Sequence, residues 1–149
     1  VIIPASALHK FNIDAILAQL LKFLPESPAY FPKDTLTDRT LRFFASEIIR
    51  EKILTTYQKE IPYSVEVAIE EYIEGPKLDR IRAIVFVERD SQKGIIIGHQ
   101  GKMLKRVGTD ARVNIESFVG KKVFLELFVK VDPNWRDNEL KLRRFGYNQ

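Results

Sequence analysis

The residues with the types and spacing to do chemistry lie in IIIGHQGKMLKRVG, from Ile95 to Gly108. The chain has only 7 glycines, and two of them, Gly98 and Gly101, stand three apart just before Lys102, Lys105 and Arg106. A two-glycine turn lets the backbone approach a ligand with no Cβ in the way. A helix that begins at the second glycine also aims its unpaired N–H groups at that place. Phosphate is the natural guest. Lys102, Lys105 and Arg106 fall on the first turn and a half of such a helix, off its apolar Leu104/Val107 face, where they reach further phosphates. A nucleotide P-loop is excluded, because it needs wider glycine spacing closed by Gly-Lys-Ser/Thr, and Gly101-Lys102 is followed by Met103.

Other chemistries find little support. There is no cysteine, which excludes disulfides and zinc-thiolate sites and fits a cytoplasmic protein. His9 has no carboxylate or second histidine near it in the sequence. Glu70 and Glu71 point to opposite faces of a strand and form no acid–base pair. Neither a catalytic nor a metal-binding constellation is expected. No apolar run approaches the roughly 20 residues that span a bilayer, and no secretory leader is evident, so the chain reads as soluble. Net charge is only +4. Its distribution is lopsided, with no acidic residue between Ser91 and Thr109. A basic zone that begins at the glycine pair points to an anionic partner on that side.

The elements that must position this turn follow from periodicity. Val1 to Ile3 reads as a short strand, and Asn12 as the N-cap of an amphipathic helix bearing Ile13, Ile16, Leu17, Leu20, Leu21 and Leu24. PESPAYFPKDTLT reads as an extended linker held by Tyr30 and Phe31. Thr37 or Asp38 caps a helix running to about Lys59, with Leu41, Phe44, Ala45, Ile48, Ile49, Ile53 and Leu54 inward. SVEVAIEEYIE alternates as a strand with Val65, Val67, Ile69, Glu71 and Ile73 on one face. RIRAIVFVER alternates again and completes an antiparallel hairpin across Gly75-Pro76. Asp90 or Ser91 caps a short helical turn, QKGIIIG. A helix follows Gly101 with Leu104, Val107, Ala111, Ile115 and Phe118 inward. KKVFLELFVKV is a third strand with Val123, Leu125, Leu127, Val129 and Val131 on one face. A terminal helix follows Trp135 and closes at Gly146. The fold class is α+β, an antiparallel three-stranded sheet covered by helices.

A GxxG pair alone also serves plain helix–turn–helix connections. Set between a strand hairpin and a basic amphipathic helix, it resembles the KH module, whose GxxG loop clamps about four nucleotides. The order α-β-β-α-α-β plus a C-terminal helix resembles the type II KH fold. SPAYFPKDTLTDR, RFFASEIIREKI, EIPYSVEVAIEEY, VERDSQKGIIIGHQGKMLKRVGTDAR and LFVKVDPNWRDNELKLRRFGY resemble the C-terminal part of the Era family of bacterial ribosome-assembly GTPases. PASALHKFNIDAIL resembles the last strand and helix of that family's GTPase domain.

The resemblance implies a strand-helix remnant of a GTPase domain at 1–24, a Pro-rich linker at 25–37 and a type II KH domain at 38–149. It implies binding of the single-stranded 3′ end of 16S ribosomal RNA during assembly of the 30S subunit, with no DNA partner. By the same resemblance the chain is a cytoplasmic bacterial monomer, with the peripheral membrane association attributed to the family. Gly98, His99, Gln100 and Gly101 become the RNA-backbone clamp, Lys102, Lys105 and Arg106 its basic flank, and Ile96 and Ile97 the apolar side of the base groove or part of the core. Nucleotide-binding motifs are missing from the chain, so no enzyme activity and no cofactor are expected here. GTP and magnesium belong to the parent GTPase domain, itself an expected partner. One departure is the turn's centre, His99-Gln100, where the family often has a positive charge. A gain in grip on protonation of His99 and a bystander role for that histidine both remain open. Phe124 and Phe128 read as packing or base-stacking side chains, and Arg136, Lys141, Arg143 and Arg144 as further phosphate contacts or solvated charge. A constitutive ribosomal KH component and a protein-docking KH domain are the alternatives.

Overall fold

A computed structural model describes residues 2–28, 39–57, 61–133 and 135. It divides into two compact units, Val1–Asp38 and Arg39–Gln149. The expected anchors Tyr30 and Phe31, the caps Thr37 and Asp38, Lys59, and the terminal-helix residues Arg136, Lys141, Arg143, Arg144 and Gly146 lie outside the described residues.

In the first unit, α1 covers Ile13–Phe23 and none of its residues is buried. Ile2 and Ile3 form no strand, since no described strand lies beside them to take their backbone bonds. Asn12 holds the N-cap position in a left-handed conformation but does not cap. Its side-chain amide donates to the Pro4 carbonyl instead, at 3.0 Å.

The second unit opens with α2, Leu41–Thr56, capped by Thr40, whose hydroxyl accepts from the Phe43 N–H. Ala45, Ile49 and Ile53 repeat every fourth residue and bury one helix face, while Leu54 is exposed. A 3₁₀ turn leads into β1, Glu66–Ile73, and β2, Leu78–Val87, which pair antiparallel as expected. Next come α3, Asp90–Ile97, a 3₁₀ turn at His99–Gly101, α4, Lys102–Val119, and β3, Lys122–Val131. Arg89, not Asp90 or Ser91, takes the N-cap position of α3. There the Gln92 side chain reaches back to accept from the N–H groups of Glu88 and Arg89.

The sheet departs from the antiparallel expectation. Its order is β1-β2-β3, and β3 runs parallel to β2. The helical crossover through α3 and α4 returns the chain to the starting end of β2, which is what parallel pairing requires. A second departure is a bulge in β1. Ile69 lies opposite Ala83 and Glu71 opposite Arg82, so Glu70 is an extra residue. The alternation flips there, and Glu71 and Ile73 are exposed while Tyr72 packs against the core. Arg42 of α2 explains the site of the flip, since its guanidinium donates to the carbonyls of Ile69 (2.7 Å) and Glu70 (3.0 Å).

The helices cover one sheet face. Ile49 and Ile53 of α2, Ile96 of α3 and Val107, Ala111 and Ile115 of α4 meet Ile81, Ala83, Val85, Val87 and Val123. Phe118 is half-exposed, yet its ring lies 4.8 Å from that of Phe44. Asp79 is sunk at the edge of this core, at 0% exposure. It accepts from Lys121 Nζ at 2.8 Å, the Tyr72 hydroxyl at 2.9 Å and the Gly75 N–H at 3.1 Å. Burial pushes its carboxyl up, but these donors prevail and hold it below the usual carboxylate range.

Candidate nucleic-acid interface

The turn between α3 and α4 is built by its two glycines. The Gly98 N–H closes α3 on the Gly94 carbonyl at 2.9 Å, and its backbone then swings to φ 68, ψ 179, a region essentially restricted to glycine. A Cβ there would fall 2.5 Å from Met103 Cγ, so the glycine also lets the first turn of α4 pack close. Gln100 (φ 52) and Gly101 (φ 75) are left-handed, and Gly101 is the N-cap of α4. His99 and Gln100 stand exposed at the tip.

The turn has a support that the sequence does not advertise. The final carbonyls of a helix have no partner within it. Ile96, in the last turn of α3, receives the Tyr57 hydroxyl on its carbonyl at 2.6 Å. Tyr57 directly follows α2 and is buried, and burial pushes its phenol up to about 12.

Beside the turn lies a groove of about 340 Å³ between α4 and β3. One wall is a helical stripe at i, i+3, i+4, i+7, i+8 and i+11: Gly101, Leu104, Lys105, Gly108, Thr109 and Arg112. Leu125 and Leu127 of β3 form the other wall. A Cβ on Gly108 would meet Leu127 Cδ1 at 3.3 Å, so the bare glycine lets helix and strand approach closely. The surface is therefore an apolar floor with cations along one rim and a glycine turn at one end. Extended nucleotides need that combination, a floor for bases and donors for phosphates.

Of the expected site residues, Gly101 and Lys105 line the groove and Gly98, His99 and Gln100 form the turn that leads into it. Lys102 and Arg106 are exposed on α4 outside the lining, and Arg106 lies 4.0 Å from Asp110. Ile97 is half-buried. Ile96, at 0% exposure, takes the core alternative, because its position on α3 faces the sheet. Phe124 and Phe128 are half-exposed and alternate with Leu125 and Leu127, which puts them on the sheet face away from the groove. Trp135 is buried. Neither Thr109 nor Arg112 stands out in the sequence alone. The signal that finds them is the helical stripe traced on from Gly101. Among the described residues no cluster of His, Asp and Glu could hold a metal ion, and no helix is long and apolar enough to cross a membrane.

A three-stranded sheet, helices on one face and a glycine turn opening on an apolar groove define a KH domain, and the KH domain family matches residues 60–136. The chain belongs to that family. Its wider likeness is to GTPase Era, with 51% identity to that of Syntrophus aciditrophicus (strain SB) and 48% to that of Coxiella burnetii (strain Dugway 5J108-111). Each match covers 99% of this chain, and 49% and 50% of the respective relative. The chain thus spans about half the length of these relatives and corresponds to their C-terminal part. Two crystal structures are similar with a TM-score of 0.92 and 41% identity over 99% of this chain and 50% of theirs. One is Aquifex aeolicus Era bound to GDP·AlF4⁻, the other Era in complex with MgGDPNP and nucleotides 1506–1542 of 16S ribosomal RNA.

Proposed function

We propose that this chain is the RNA-binding KH module of an Era-type GTPase, gripping the single-stranded 3′ end of 16S ribosomal RNA during assembly of the 30S subunit. The observation that carries the reading is the Gly98–Gly101 turn at the mouth of the Leu104/Leu125/Leu127 groove. Backbone N–H groups at the start of α4 hold a phosphate, and Lys102, Lys105 and Arg106 hold its neighbours. The apolar floor receives the bases. Similarity to an Era seen with a 16S ribosomal RNA fragment supports the choice of RNA. GTP binding and hydrolysis fall to a GTPase domain outside these residues, since the chain has neither a P-loop nor an Asn-Lys-x-Asp motif. On this reading the protein works in the bacterial cytoplasm.

A fluorescence-anisotropy titration with an RNA matching the 16S 3′ tail, beside a scrambled RNA of equal length, tests the proposal. Selective binding that weakens steeply with salt is expected. Equal affinity for both RNAs would reduce the site to a basic surface, and no binding would remove the RNA reading.

A further inference from the structure

We infer that Arg112, at the far end of the groove from the glycine turn, reads the edge of one base and so sets part of the sequence preference. This rests on the RNA-binding reading above. Lys105 and Arg112 both line the groove, seven residues or about 10 Å apart along α4. That separation is one to two nucleotides of extended strand. The two cations are held differently. Lys105 is exposed and, among the described residues, has no carboxylate partner within ion-pair distance, so it presents a point charge suited to phosphate. Arg112 Nη1 instead donates to Glu116 Oε1 at 3.0 Å.

Glu116 is itself fixed, because the same oxygen accepts the Val123 N–H at 3.1 Å. Val123 belongs to β3 and Arg112 to α4, so the guanidinium is referenced to both walls of the groove. Glu116 also has Lys122 Nζ at 3.5 Å. The Val123 N–H foremost, then the two cations, keep its carboxyl below the usual range, so the tether stays charged at neutral pH. An arginine held by a tethered carboxylate is fixed in place and less able than Lys105 to follow a phosphate. Its remaining N–H donors, held in a planar fork, suit a base that offers two adjacent acceptors.

The test is selection from a randomised eight-nucleotide RNA pool by the wild-type chain, Arg112→Lys and Glu116→Gln, followed by sequencing. Melting curves of the three proteins establish that each is folded. The wild type is expected to favour one base about tenfold or more at one position. Arg112→Lys should flatten that position while leaving preferences elsewhere and overall pool binding nearly unchanged. Glu116→Gln, which keeps an acceptor for the Val123 N–H, should weaken the same preference. Full retention of the preference in Arg112→Lys would overturn the inference. So would a uniform loss for all sequences with the base preference unchanged, the mark of a contact to the sugar-phosphate backbone. A wild-type chain that captures no RNA at all would overturn the RNA reading and this inference together, an outcome distinct from the other two.

Discussion

The Tyr57 hydroxyl and the Ile96 carbonyl, 2.6 Å apart, tie the end of α2 to the last turn of α3 just ahead of the glycine turn. The two residues are far apart in sequence, and the bond is buried, where a hydrogen bond is hard to replace. It gives the turn a fixed base that its own sequence cannot supply.

Tyr57→Phe keeps the ring and removes only the donor, leaving a buried carbonyl unsatisfied. A loss of about 1–3 kcal/mol in urea unfolding is expected, with weaker RNA binding because the turn loses its support. The phenol's raised pKa also sets an alkaline limit. Its contribution is whole below its ordinary value of about 10 and is lost as pH rises through about 12. Tyr57→Phe should lack that part of the alkaline decline, as unfolding titrations between neutral and high pH would reveal.

Gly98 and Gly101 should respond unequally to alanine. At Gly98 the added Cβ meets Met103 at 2.5 Å and the backbone is one that L residues avoid, whereas at Gly101 the space is open and only the left-handed φ remains. Gly101→Ala is expected to cost about 1–2 kcal/mol, and Gly98→Ala clearly more. Paired denaturation curves check the order, and equal losses would mean that the Met103 contact is unimportant.

His99→Asp combined with Gln100→Asp places two negative charges at the exposed tip. RNA affinity is expected to vanish while circular dichroism stays unchanged, since neither side chain is in the core. Undiminished affinity would rule out the turn as the phosphate clamp.

Asp79 carries an acid limit on stability. Its carboxyl is held low in the fold, so its contribution is complete above about pH 4 and disappears as pH falls through the lower folded value. Asp79→Ala leaves Lys121, Tyr72 and the Gly75 N–H without this acceptor. Because Lys121 keeps contact with water, the loss is that of unpaired donors, about 1–3 kcal/mol. Urea midpoints measured between pH 7 and 3 should fall less for the variant than for the wild type.

The elements that repeat strongly were legible in the sequence: the Ala45/Ile49/Ile53 face of α2, the alternation of Ile81, Ala83, Val85 and Val87, and the glycine turn with its following helix. What escaped depends on partners distant in sequence. In EVAIEEYI the adjacent Glu70 and Glu71 break the alternation where the bulge falls, but the partner that holds it there, Arg42 reaching from α2 to two carbonyls, is distant in sequence. The direction of β3 is set by where the crossover delivers the chain, which local pattern does not encode. Ile95, Ile96 and Ile97 look alike in sequence; helix rotation buries the second and leaves the first exposed. Arg112 looked like one charge among many until the strand bearing Leu125 and Leu127 was placed opposite it.

The parallel pairing of β2 with β3 bears on when the binding surface can exist. Whereas β1 and β2 can meet through a short local hairpin, β3 must be captured after the whole crossover has been threaded past it, a slower search across sequence. The turn lies inside that crossover, and the strand wall of the groove arrives only with β3. A nascent chain ending before Lys122 would carry the glycines and the cations but no strand wall for the groove. On the proposed reading, the groove that would receive RNA is therefore complete only once β3 has docked.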